Sequence, residues 1–167
     1  MISVRLGRLE EIPAEALICP VRSDFSAVTS AGRRIEVGAG AKVQERLRGM
    51  GELPVGGAVV TPGGDLAARF IIHAVIESPE EPPTAMGIQR ALLNALRRAR
   101  EWEVASVALP PVGLGVGTLE AEDAAHLLVE MLHDHLAEGG APAEVLIVVE
   151  HAFEEDLFRR LLAEERG

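Results

Sequence analysis

A glycine-rich segment between Val107 and Ala125, VALPPVGLGVGTLEAEDAA, has the residue types and spacing best suited to binding chemistry. In it an apolar strand is predicted to end, three glycines alternate, and a helix begins shortly afterwards. Alternating glycines let backbone amides turn toward one point, and such a loop before a helix N-terminus favours anions such as phosphate. We therefore predict a phosphate-binding loop, with a flexible connector as the alternative. The loop consists of Gly113, Leu114, Gly115, Val116 and Gly117.

The spacing of these glycines differs from the common nucleotide-binding fingerprints. It lacks the G-x-x-x-x-G-K-[ST] pattern of a P-loop, and G-x-G-x-G is not the G-x-G-x-x-G of dinucleotide-binding folds. The sequence therefore disfavours a kinase or a dinucleotide-dependent dehydrogenase.

A second loop of small residues opens a predicted helix earlier in the chain. It comprises Gly38, Ala39, Gly40 and Ala41 and precedes a helical stretch at 42–50. One interpretation is a second phosphate cradle that faces the first, and two cradles would suit a diphosphate. The alternative is a linker between two helical pieces.

Periodicity and turn residues predict the elements that must position these loops. Strands are predicted at 2–6, 16–21, 58–61, 69–76, 104–109 and 145–149, and helices at 42–50, 84–102, 120–137 and 153–164. Thr84 is suited to cap the second of these helices, and Thr29 or Ser30 could cap a further one. Because helices and strands alternate in the second half, we expect a three-layer α/β/α fold with a mixed, mostly parallel central sheet. The length of 167 residues predicts a single domain over 1–167.

Composition narrows the possible partners. The net charge is −10 and only 3% of residues are aromatic, which disfavours general nucleic-acid binding. Residues 1–118 contain 13 acidic and 13 basic residues, so the whole excess of negative charge lies in 119–167. The part of the chain with both small-residue loops is neutral and rich in arginine, which leaves a phosphate-bearing ligand open.

The sequence also gives expectations about location. No apolar run reaches the roughly 18 residues of a membrane span, and the N-terminus lacks the layout of a signal peptide. We expect a cytoplasmic protein with no membrane association. Asn94 is the only Asn, and a shortage of thermolabile amides is compatible with a thermophilic source.

Other reactive residue types have structural interpretations. Cys19 and His73 lie within apolar strands, where an inert buried thiol and a hydrogen-bonded core histidine are expected. His126 and His133 are seven residues apart on one predicted helix, without a carboxylate or cysteine at ligand spacing, so no metal site and no cofactor are predicted. Arg22 directly follows the second strand, where it belongs either to a solvated face or to a rim that attracts phosphate.

Taken together, these segments resemble the macro domain, a family of ADP-ribose-binding α/β modules. Similar to the family are GRL at 7–9 with AEALICPV at 14–21, GAGA at 38–41, LPVGGAVVTPGGDLAARFIIHAVI at 53–76, and SVALPPVGLGVG at 106–117. The resemblance covers nearly the whole chain. It implies that residues 113–117 surround a diphosphate and the distal ribose, that residues 38–41 line the other side, and that Val21 lies near the floor of the pocket.

The chain departs from the family pattern at several positions. Arg8 stands where the family usually has an Asp that accepts a hydrogen bond from adenine, and an arginine cannot accept it. Cys19-Pro20-Val21-Arg22 occupies the place of the asparagine-rich motif of hydrolytic members. The aromatic residue that often stacks on adenine is replaced by Glu150 or His151, with Phe153 close by.

The resemblance implies a binding module for ADP-ribose or a related nucleotide or phosphoribosyl ligand, free or attached to an ADP-ribosylated protein. Two alternatives stay open. The first is an enzyme that removes ADP-ribosyl groups or that deacetylates or dephosphorylates ADP-ribose derivatives. The second is a degenerate macro fold that acts as an interaction unit in a homo-oligomer.

Overall fold

Six strands form one mixed sheet in the computed structural model, which describes residues 1–114 and 119–166. The strands are β1 (Ile2–Leu6), β2 (Ala16–Arg22), β3 (Ala58–Pro62), β4 (Phe70–Glu77), β5 (Ser106–Leu109) and β6 (Glu144–Val149). The helices are α1 (Ser30–Ala39), α2 (Ala41–Gly49), α3 (Ala85–Glu101), α4 (Ala121–Ala137) and α5 (Ala152–Arg166), with a short 3-10 turn at Leu9–Glu11.

The sheet has the order β1-β6-β5-β2-β4-β3, and every neighbouring pair is parallel except β3 with β4. This confirms the prediction of a mixed, mostly parallel sheet in an α/β/α fold. Parallel neighbours require crossover connections, and the helices between the strands supply them.

Helices cover both faces of the sheet. The side chain of Ile18 packs in a core with residues of α3, α4 and α5. Its neighbour Leu17 packs in a second core with residues of α1 and α2. Successive strand residues point to opposite faces, so β2 contributes to both cores.

Threonine caps begin two helices, as the sequence predicts. The Thr29 hydroxyl accepts a hydrogen bond from the Gly32 amide at 3.0 Å, and Thr84 does the same for Gly87 at 3.0 Å. The sequence did not delimit α1, because its apolar pattern is weak. Ile35 is buried in this helix, whereas Val37 is 83% exposed.

Among the described residues, no helix combines the length and the apolar character that crossing a bilayer requires.

Candidate ligand-binding cleft

A cleft of about 210 Å³ lies where several parallel strands end. It is lined by Pro20 near the end of β2, Ile76 near the end of β4 and Val148 near the end of β6. Pro110 and Pro111, which follow β5, also line it. Ligands of open α/β sheets bind at this edge, since the connecting loops meet outside the carboxyl ends of the strands.

The first wall is the start of the glycine-rich loop. Gly113 and Leu114 both line the cleft, and the Leu114 amide donates to the Pro111 carbonyl at 3.1 Å. Gly113 has φ 96°, in the left-handed region that favours glycine. The predicted site residues Gly115, Val116 and Gly117 lie outside the described residues.

The second wall is the N-terminus of α1. Thr29, Ser30 and Ala31 line the cleft, and Thr29 is the residue that caps this helix. Amides in the first turn of a helix have no partner within the helix, and the helix dipole adds partial positive charge there. This end of α1 therefore favours an anion. The sequence pattern indicates Thr29 and Ser30 as capping residues but does not indicate that they line a cleft.

The predicted loop at 38–41 lies at the opposite end of α1, outside this cleft. Gly38 lies eight positions after Ser30, which corresponds to about 12 Å along a helix. Gly40, with φ 95°, joins α1 to α2, and a Cβ there would lie 2.9 Å from Oδ2 of Asp65. The Ala39 carbonyl accepts a hydrogen bond from the Asp65 amide at 3.1 Å. The small residues therefore permit a tight junction between two helices and the turn beside them, and they do not line the cleft that Gly113 and Leu114 line.

Val21 and Arg22 also lie outside the lining of the cleft. Val21 is 1% exposed and packs in the core under α1 and α2, whereas its neighbour Pro20 lines the cleft. The two-residue period of a strand accounts for this shift by one position. Arg22 pairs with Glu77 at 3.1 Å and donates to the Ala27 carbonyl at 2.6 Å. Its guanidinium therefore stabilises the turn after β2.

The third wall is polar and follows β6. Glu150, His151 and Glu154 line the cleft there, beside Leu9. The imidazole of His151 stacks on the ring of Phe153, with centroids 5.9 Å apart and an angle of 16° between the planes. In this region the sequence predicts that Glu150 or His151 replaces the aromatic residue that often stacks on adenine in the family.

An arginine joins this third wall to α1. Arg34 forms ion pairs with Glu150 and with Glu10, the latter at 2.6 Å from Nε to Oε1. Arg8 is exposed, and its neighbour Leu9 reaches the cleft instead.

The reactive residues inside the sheet do not line the cleft. Burial, with a smaller contribution from Glu36, raises the pKa of the Cys19 thiol to about 12, which leaves it protonated and unreactive. Burial lowers the pKa of His73 to about 4, and its Nε2 lies 2.9 Å from the Thr61 hydroxyl.

Asn94, the only asparagine, donates to the Gly56 carbonyl at 2.6 Å. Within the described residues, no group of three or more His, Cys, Asp or Glu side chains could hold a metal ion.

Comparisons with known proteins agree on one family. The family model described as Macro domain matches residues 25–128. An uncharacterized protein of Aeropyrum pernix is 35% identical over 126 residues, which is 75% of this chain and 67% of that protein. A protein of Escherichia fergusonii named O-acetyl-ADP-ribose deacetylase is 26% identical, over 98% of this chain and 96% of its own length.

Solved structures show the same fold. The Oceanobacillus iheyensis macrodomain with ADP superposes with a TM-score of 0.86 at 18% identity, over 98% of this chain and 90% of that chain. The Trypanosoma brucei macrodomain in complex with ADP-ribose has a TM-score of 0.86 at 17% identity, over 96% of this chain and 68% of that chain. These findings confirm the family that the glycine-rich loop and the central strands indicate in the sequence. The chain belongs to the macro domain family.

Proposed function

We propose that this protein binds ADP-ribose or a related ligand with a phosphate and a ribose in the cleft between α1 and the glycine-rich loop. The observation that carries the proposal is the convergence of two anion-favouring backbone features on one cleft. The N-terminus of α1 lines it through Ser30 and Ala31, and the loop after β5 lines it through Gly113 and Leu114. Backbone amides in such positions hold phosphate oxygens without requiring a basic side chain.

The proposed binding residues extend the described lining along the chain. Gly115, Val116 and Gly117 continue the glycine-rich loop, and we propose that their amides complete the phosphate site. The ribose and base would then lie toward the side with Leu9 and Val148, which offer apolar surface. Residues 38–41, Val21 and Arg22 are not part of this proposed set.

The comparisons support the choice of ligand. Solved macrodomains of the same fold are described with ADP and with ADP-ribose. An ADP-ribosyl group attached to a protein presents the same diphosphate and riboses, so we also propose ADP-ribosylated proteins as partners.

Calorimetric titration with ADP-ribose, AMP and ribose-5-phosphate tests this function. Wild-type protein is expected to bind ADP-ribose, and Ala31→Glu is expected to abolish binding because a carboxylate would occupy the anion site. Glutamate is well tolerated in the first turn of a helix, so this variant should fold. Ala85→Glu is the matched control, since Ala85 is exposed in the first turn of α3. Absence of ADP-ribose binding by wild-type protein at millimolar concentration contradicts the proposal.

A second candidate is deacetylation of O-acetyl-ADP-ribose. The name of the Escherichia fergusonii relative, which matches almost the whole chain, favours it. Against it, the asparagine-rich motif of hydrolytic members is replaced by Cys19-Pro20-Val21-Arg22. Release of acetate from O-acetyl-ADP-ribose, measured against Ala31→Glu protein, distinguishes an enzyme from a module that only binds.

A further inference from the structure

Glu154 is a largely buried residue in the first turn of α5, and it lines the cleft. The residue is 8% exposed. Among the residues that the structure describes, none forms a hydrogen bond or an ion pair with this carboxylate. The neighbouring Glu150 differs, because Arg34 pairs with it.

A carboxylate needs hydrogen-bond donors from water, protein or ligand. The positive end of the α5 dipole favours its negative charge. It does not supply a hydrogen-bond donor to the carboxylate oxygens. The open cleft is the direction from which such a donor can arrive.

An ionised carboxylate only accepts hydrogen bonds. Its partner must therefore carry an N–H or O–H group, and a phosphate oxygen would be repelled. The order of the strands places the carboxylate of Glu154 and the anion-favouring backbone amides on different sides of the cleft. Leu9 follows β1 and Glu154 follows β6, on one side, whereas Gly113 follows β5 and Ser30 follows β2.

We propose that Glu154 is a specificity-determining residue that accepts a hydrogen bond from the non-phosphate part of the ligand. This inference rests on the proposed function and adds the chemical class that the β6 side of the cleft selects. The donor is either an exocyclic amino group of the base or a ribose hydroxyl. Glu154 would thereby supply a hydrogen-bond acceptor to the β6 side of the cleft.

The test compares wild-type protein with Glu154→Gln, which keeps the shape of the side chain and replaces one acceptor oxygen by a donor. Glu164→Gln, at an exposed position near the end of α5, is the matched control. Calorimetry with ADP-ribose and with its hypoxanthine analogue, which lacks the amino group, gives the affinities. Thermal melting verifies that each variant is folded.

Glu154→Gln is expected to weaken ADP-ribose binding about tenfold or more, the typical effect of losing a hydrogen bond to a charged group. Glu164→Gln should bind as wild type does. If the base is the donor, the hypoxanthine analogue binds wild type weakly and is little affected by Glu154→Gln. If the ribose is the donor, Glu154→Gln weakens both ligands equally.

Equal or tighter ADP-ribose binding by Glu154→Gln overturns the inference and leaves the proposed function standing, because a carboxylate without a donor only repels a diphosphate. Failure of wild-type protein to bind either ligand overturns the proposed function and this inference with it.

Discussion

The guanidinium of Arg34 in α1 is paired with the carboxylate of Glu150, which follows β6 and lies 116 residues further along the chain. The same guanidinium pairs with Glu10, which lies in the 3-10 turn. One side chain therefore joins three segments around the cleft. The pairing keeps the wall after β6 against the helix whose N-terminus forms the second wall.

Removing this link should lower stability modestly. We expect Arg34→Gln to reduce the free energy of unfolding by about 1 kcal/mol, since the pairs are only partly buried, and we expect the effect to shrink in high salt. Urea unfolding at low and high ionic strength measures it. Arg48→Gln, at an exposed position of α2, is the control and should change little. A loss that does not depend on salt would argue against an electrostatic role.

The cap of α1 should matter for binding as well as for stability. Thr29→Ala is expected to cost about 1 kcal/mol, the usual loss for an N-cap hydroxyl. It should also weaken ADP-ribose binding, because the capped turn lines the cleft. Thr84→Ala removes the same contact from α3 and should cost similar stability without changing affinity. Equal affinities in the two variants would contradict the placement of the anion site at α1.

A substitution at Gly40, between α1 and α2, should lower stability without changing ligand affinity. Gly40→Ala places a Cβ at φ 95° and 2.9 Å from Asp65 Oδ2, so we expect a loss of about 1 to 2 kcal/mol. The affinity of the folded protein for ADP-ribose should not change, since residue 40 lies at the far end of α1. Gly49→Ala is the control, because a Cβ there meets nothing within 4 Å. Loss of binding in folded Gly40→Ala protein would restore residues 38–41 to the site.

His73 should make stability depend on pH. Its pKa is lowered to about 4 by burial, below the ordinary value of 6.5 that the unfolded chain retains. The unfolded state therefore binds more protons, so this contribution is complete above pH 6.5 and is lost as pH falls toward 4. Between pH 6.5 and 5, we expect it to fall by about 2 kcal/mol.

His73→Gln removes this titration and retains a partner for Thr61. The variant should lose less stability than wild type between pH 7 and pH 5, as measured by urea unfolding. His126→Gln, at an exposed position of α4, should follow the wild-type profile. Parallel profiles for wild type and His73→Gln would show that His73 does not carry the dependence.

Much of the fold follows from local sequence patterns. The apolar run that forms β4, the threonine caps and the apolar stripe of α3 each specify an element, because alternation, capping and helical periodicity act over a few residues. The glycine-rich loop is predicted from an equally local pattern, and its first residues, Gly113 and Leu114, line the cleft.

Several residues that line the cleft cannot be predicted from the sequence, and for one common reason. They come together only through the order of the strands in the sheet. Leu9, Ser30 and Glu154 lie far apart in the chain and carry no shared motif. Residues 38–41 show the converse, because a small-residue loop before a helix has the same local pattern whether it binds a phosphate or packs against a turn.

The sequence by itself determined the family, the alternation of strands and helices, and the glycine-rich loop after β5. Only the tertiary structure decided which end of α1 faces the cleft, that Pro20 rather than Val21 lines it, and that Glu154 contributes a carboxylate that pairs with no other described residue. The physical reason is that secondary structure and loop chemistry depend on neighbours in the chain. The composition of a cleft depends instead on how parallel strands are ordered and on which face each residue presents.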